Sequence, residues 1–112
     1  MTRFAWVLAA STVFLSATAM GAEKVERLWR AKCASCHGRD GKAQTEKGKK
    51  MQIPDMTTAE FQKATDDEIR KQITNGVKTE KNGVKKEMDA FKDEVNGPML
   101  DEVVAYIRAF KK

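Results

Sequence analysis

The run Ala31-Lys32-Cys33-Ala34-Ser35-Cys36-His37-Gly38 holds both cysteines and the one histidine of a chain of 112 residues. All thiol and imidazole chemistry is therefore confined to five consecutive positions, and the rest of the chain has to present them. On a helical turn, residues three apart share a face, so the two thiols point to one side and the imidazole follows at the next position. The fold must accordingly bring a helix end up to whatever these groups hold.

The chain opens with MTRFAWVLAASTVFLSATAMGA: one early cation, Arg3, then an uncharged run rich in Ala, Val, Leu and Phe, then small residues. This is the layout of a secretory signal peptide. Cleavage after Ala19, Gly21 or Ala22 suits a small-residue peptidase site. The expected organisation is a signal peptide over 1–22 and one domain over 23–112, exported to the periplasm. The other reading is an uncleaved anchor from Phe4 to Ala22, nearly long enough to span a bilayer. Its Ser, Thr and Ala content makes it weakly apolar for that role, and no stable membrane insertion is expected after cleavage. No cysteine precedes Cys33 to accept a lipid.

About 90 residues remain, a size at which side chains alone struggle to outweigh chain entropy. After the leader the aromatics are only Trp29, Phe61, Phe91, Tyr106 and Phe110. Something besides side chains is expected to fill the middle. A disulfide between Cys33 and Cys36 would close a tiny loop and constrain the unfolded chain very little. The formal charge of +5 becomes +4 once Arg3 leaves, with lysines at 42, 47, 49 and 50 and again at 78, 81, 85 and 86. A nucleic-acid surface would carry arginine with interleaved aromatics, so no nucleic-acid partner is expected. The lysines read as a solvated surface or as steering toward an acidic partner.

Helical periodicity dominates. Val25, Leu28, Trp29, Cys33 and Cys36 share one helix face, so a first helix runs from about Glu23 into the cysteine motif. Thr57-Thr58-Ala59-Glu60 and Thr65-Asp66-Asp67-Glu68 each fit a capping box, with Ile69, Ile73 and Val77 continuing the second and Gly76 as its stop. Gly97-Pro98 precedes Met99, Leu100, Val103, Val104, Ile107 and Phe110, an amphipathic last helix. Two glycine- and lysine-rich loops, Gly38 to about Asp55 and Val77 to about Gly97, separate these elements. The expected fold is all-α: about four short helices with long loops.

C-x-x-C-H in an exported chain is the haem-attachment signature. Cys33 and Cys36 can each form a thioether with one vinyl group of a single haem, which consumes both thiols, and His37 follows beneath the iron. Three alternatives are weaker. A thioredoxin-type dithiol needs a preceding strand, and none is read there. Zinc needs more ligands than one histidine and two cysteines provide. The disulfide has been discounted above.

The residue on the other face of the iron separates a carrier from a binding or catalytic site. No second histidine exists. Met99 lies on the apolar face of the last helix, and Met51, Ile53 and Met56 form a short apolar cluster. Met88, in KKEMDAFKDE, is apolar among charges and has no helical stripe, and ligation to iron gives it a reason to turn inward. Met51 is the second candidate.

From Glu23 to Lys112 the chain resembles the class I c-type cytochromes, the small soluble bacterial monohaem kind. The matching segments are CASCHGRDGK at 33–42, GKKMQIPDMT at 48–57, ITNGV at 73–77, MDAF at 88–91 and VVAYIRAF at 103–110. The resemblance implies a cytochrome c-like fold around one covalent haem c, thioethers at Cys33 and Cys36, His37 as proximal ligand and Met88 as distal ligand. It also implies a backbone carbonyl near Ile53-Pro54 accepting from His37, and a crossing of first and last helices near Trp29 and Tyr106. Two positions depart from the family: Asp89 stands where proline often follows the ligand Met, and Val25 stands where a glycine often marks the helix crossing. The expected function is one-electron carriage, without catalysis, between redox proteins with acidic docking surfaces, by a monomer steered through Lys42, Lys85 and Lys86. A haem enzyme or gas sensor with a weakly held distal Met, or a carrier subunit of a larger redox complex, are the rival readings. Arg39 sits on the proximal side of the motif and supplies no distal acid–base group.

Overall fold

The computed structural model describes residues 9–11 and 17–112. The signal-peptide reading therefore falls largely outside the described residues. Helix α1 spans Ala17–Leu28, starting before the expected Glu23. It runs on through a wider π turn, Trp29–Cys33, in which the Ala34 N–H reaches back to the Trp29 carbonyl, and then through α2, Ala34–His37. Gly38 stops it with φ 79 and ψ 158, a region that essentially only glycine enters. The short helix α3, Glu46–Lys50, is capped by Thr45, whose hydroxyl oxygen accepts from the Gly48 N–H at 2.9 Å.

Helix α4, Asp66–Asn75, starts with the expected capping box. Thr65 Oγ1 accepts from the Glu68 N–H at 3.1 Å, and the Glu68 carboxylate accepts from the Thr65 N–H at 3.1 Å. The other expected box, at Thr57, does not form. Asp55 captures Thr57 first, its carboxylate accepting from the Thr57 N–H at 2.8 Å and hydroxyl at 2.6 Å. The chain turns one residue later instead, with Thr58 Oγ1 accepting from the Phe61 N–H ahead of a 3₁₀ turn at Phe61–Lys63.

The segment after Gly76, expected to be a loop, is a β-hairpin: β1, Val77–Lys81, pairs antiparallel with β2, Val84–Met88. Asn82 and Gly83 connect them with φ of +53 and +78, the two positive values that a type I′ turn requires. Opposite charges face each other at Lys78↔Glu87 and Glu80↔Lys85, while Val77 faces Met88. Such pairs each add a few tenths of a kcal/mol, up to about 1. The lysine-rich composition hid a strand alternation whose inward face is Val77, Val84, Lys86 and Met88, all half-buried, and whose outward face is fully exposed.

Helix α5, Gly97–Arg108, with Pro98 in its first turn, packs its buried Val103, Val104 and Ile107 on α1 and α4. Val25 from α1, Trp29 from the π turn after it, and Ile69 and Ile73 from α4 complete this core with Met56 and Val95. Val25, at the position where a glycine often marks the crossing, is buried in this core. Arg108 ties α5 to the start of α4, donating to Asp66 at 2.9 Å and to the Gln62 carbonyl at 3.0 Å. Gln62 returns a bond from its amide to the Ile107 carbonyl at 3.1 Å.

Two consequences are measurable. At Gly76 the backbone has φ 75 and ψ −179, and a Cβ there would meet the Met88 carbonyl at 2.5 Å and the Ala90 nitrogen at 2.9 Å. Gly76→Ala should lower unfolding stability by about 2–3 kcal/mol in a denaturant titration, from the strained backbone and the displaced hairpin root. The Asp55 carboxyl is held below the usual carboxylate range first by the Thr57 hydroxyl and then by the Thr57 N–H. A depressed carboxyl stabilises the fold above its unfolded pKa and loses that contribution as pH falls through the folded value. In Thr57→Val the Asp55 side chain should titrate at higher pH by NMR, and the stability gap to wild type should be full near neutrality and shrink on acidification.

Candidate functional site

A cavity of about 550 Å³ lies between the motif, the loop after α3, α4, the hairpin and α5. That volume is in the usual range for a site enclosing a small organic group. Cys33, Cys36 and His37 line it from the helix end, and Met88 from the hairpin. Met51, Ile53, Pro54, Ile73, Phe91 and Val103 are among its other walls. The expected site residues, scattered over more than fifty positions, are thus brought to one space.

The motif is fixed from below by hydrogen bonds and aromatic packing. Trp29, only 2% exposed, donates from its indole nitrogen to the Gly38 carbonyl at 2.9 Å, clamping the chain where α2 ends. Its ring lies 5.8 Å from the His37 ring and 5.3 Å from each of Tyr106 and Phe110, which meet edge-on at 5.2 Å. Offset contacts of this kind hold ring positions beyond their area burial. The expected crossing of first and last helices near Trp29 and Tyr106 is therefore present. On the other side, Thr45 donates from its hydroxyl to the Cys36 carbonyl at 2.7 Å, and the Ala43 N–H donates to the His37 carbonyl at 2.8 Å. Gly48 lets α3 approach closely, since a Cβ there would stand 2.6 Å from the Cys36 carbonyl.

The two thiols are half-buried and unbridged. Burial, then the neighbouring Cys36, pushes the Cys33 thiol up to about 11. Burial also holds the His37 imidazole below its ordinary pKa, so it is neutral at pH 7, the form that ligates a metal. The expected carbonyl near Ile53-Pro54 does not accept from this ring. His37 Nδ1 is buried without a hydrogen-bond partner. An unpaired buried nitrogen costs about 1–3 kcal/mol. Its place beside a largely apolar cavity, with two thiols and three thioethers on the walls, fits a large apolar group that carries its own metal. Among the described residues no cluster of three or more His, Cys, Asp or Glu is arranged to hold a bare ion.

Met88 reaches the cavity because the pleat alternates: as the last residue of β2 it shares the inward face with Val84 and Lys86. Its position is fixed by pairing with Val77, by the close approach of Gly76 and by the Phe91 N–H donating to the Ile73 carbonyl at 2.9 Å. Met51 and Met56 also line the cavity, Met56 as part of the buried core, and Met99 packs against that core. Of the three expected steering lysines, Lys85 is on the exposed face of the hairpin, Lys86 turns toward the cavity and Lys42 is half-buried. Lys32 and Lys47 also line the cavity; the sequence places Lys47 in a lysine cluster read as surface or steering and gives Lys32 no role. Lys47 sits in α3, and the Thr45-Glu46 start of that helix was its available signal.

A family profile described as "Cytochrome C oxidase, cbb3-type, subunit III" matches residues 21–107. Comparison with the curated proteins returned no match. Among solved structures the chain is similar to "KustC0563 c-type cytochrome", with 30% identity and a TM-score of 0.63, over 78% of this chain and 96% of that one. The helix-borne motif, the cavity it lines and both likenesses agree: the chain belongs to the c-type cytochromes, electron-transfer proteins with a cytochrome c-like fold around one covalently bound haem c.

Proposed function

We propose that the protein is a one-electron carrier in which Cys33 and Cys36 form the thioethers, His37 is the proximal ligand and Met88 the distal ligand. The observation that carries this reading is the single cavity lined by all four side chains. The bound haem supplies the one-electron couple. The protein holds His37 neutral and fixed under Trp29, and sets Met88 on a paired strand, so that neither donor has to move when the electron does. A methionine opposite a histidine raises the potential. With both axial positions taken, no substrate reaches the iron, and the chain offers no second imidazole for acid–base work. The enzyme and sensor readings lack that group.

In this proposal the leader over 1–22 directs export to the periplasm, and the domain works there as a monomer. No helix among the described residues is long and apolar enough to cross a membrane. Acidic redox partners dock where the lysines of the hairpin and of the 42–50 segment flank the site, and Lys42, Lys85 and Lys86 steer them. The description of the matching family favours a second arrangement, a carrier subunit held within a larger redox complex. Co-purification with partner subunits from native membranes decides for the complex, and recovery of the free protein from the periplasmic fraction decides for the diffusing carrier.

In the ferric holoprotein the weak red-edge charge-transfer band of iron-bound methionine sulfur should be present in wild type and absent in Met88→Ala, with a lower reduction potential. A wild-type spectrum that is high-spin and lacks the band overturns the closed-iron reading. Neutralising Lys42, Lys85 and Lys86 together should slow association with an acidic partner about tenfold at low salt and flatten its salt dependence. Unchanged rate and slope would remove the steering role.

A further inference from the structure

In a two-residue hairpin the residues flanking the turn form a hydrogen-bonded pair and the pairs alternate outward from there. Lys81↔Val84, Thr79↔Lys86 and Val77↔Met88 are thus the hydrogen-bonded pairs, and Glu80↔Lys85 and Lys78↔Glu87 are not. The Glu87 N–H therefore points away from β1, along the open edge of the sheet. There it meets the Met51 sulfur at 3.5 Å. Met51 itself is fixed on the C-terminal end of α3, its N–H donating to the Lys47 carbonyl at 3.0 Å. Helix α3 is in turn held on the attachment motif by Thr45 and Gly48, which touch the Cys36 carbonyl. A continuous path of contacts runs from Cys36 through α3 and Met51 to the residue before Met88.

We infer that Met51 is a positioning residue: its thioether latches the open edge of β2 and holds Met88 at its place on the cavity wall. The inference rests on Met88 being the distal ligand. A thioether is a weak acceptor, but it is flexible enough to follow an edge N–H and apolar enough to line the cavity at the same time. The latch gives the hairpin a second support, beside its root at Gly76, on the side where β2 has no neighbouring strand.

The wild-type holoprotein gives the first test. Lys85 has the same outward N–H direction as Glu87 and stands two residues away, so amide hydrogen exchange should be slower at Glu87 than at Lys85. Equal exchange at the two positions overturns the latch. The second test uses Met51→Leu, which keeps the apolar volume, and Met51→Gln, which restores an acceptor. Glu87 exchange in the leucine variant should be about twofold faster, the factor at the low end of net hydrogen-bond strength that suits a weak acceptor. Imidazole added to the ferric protein should abolish the red-edge band at about twofold lower concentration than in wild type. The glutamine variant should recover toward wild type in both. Leucine behaving as wild type, or faster Glu87 exchange with no change in the imidazole midpoint, overturns the positioning role. A band that survives Met88→Ala and vanishes in Met51→Leu makes Met51 the ligand itself, and it is then the Met88 reading that fails.

Discussion

The fold depends on a volume the polypeptide does not fill. A domain of this size buries too little apolar surface to sustain a cavity of about 550 Å³ at its centre. Side chains that in a larger protein would meet each other, such as Ile53, Ile73 and Phe91, instead face the same space. Covalent attachment through two thioethers makes the filling permanent. Haem is then as much a part of the core as Trp29, and the long segments between helices have a flat apolar body to lie on.

Around that body the chain divides into a rigid part and a suspended part. The rigid part is the attachment motif with its supports: the indole of Trp29 on the Gly38 carbonyl, Tyr106 of α5 and Phe110 just after it behind that ring, and Thr45 and Ala43 on the carbonyls of Cys36 and His37. The supports come from three parts of the chain, the π turn, the C-terminal end and the segment entering α3, so the ring orientation of His37 does not rest on any one of them. Its Nδ1, without an acceptor, is oriented by packing against Trp29 rather than by a hydrogen bond. The suspended part is the hairpin, joined to the core at Gly76 and Phe91 and reaching the cavity with Met88.

Much of this was readable from the residues. The five positions from Cys33 to His37 gave the chemistry, because their spacing has few other uses and the chain has no spare ligands. The Thr65 to Glu68 capping box and the Gly76 stop were legible because local hydrogen bonds decide them. At Thr57 the same pattern failed because Asp55, two residues upstream, offered a stronger acceptor. The hairpin was missed for a different reason. Lysine and glutamate side chains mask a period of two when both faces carry charge, and Asn82-Gly83 was the one local sign that outweighed them. Which of Met51 and Met88 reaches the cavity could not be ordered by spacing, because tertiary packing brings both there.

A methionine carried on a hairpin obeys a parity rule. Side chains alternate along β2, so a slip of one residue would send Met88 to the solvent face and bring a glutamate or an aspartate in its place. Changes that add or remove two residues from each strand, leaving the register and the alternation of hydrogen-bonded pairs intact, move only the exposed Asn82-Gly83 tip, where even a Cβ on Gly83 would meet nothing. The outer end of the hairpin is therefore free to vary in length and charge while the cavity wall at Met88 stays as it is. On the proposed reading, recognition of a partner and the electronic setting of the haem can diverge independently along the same ribbon of chain.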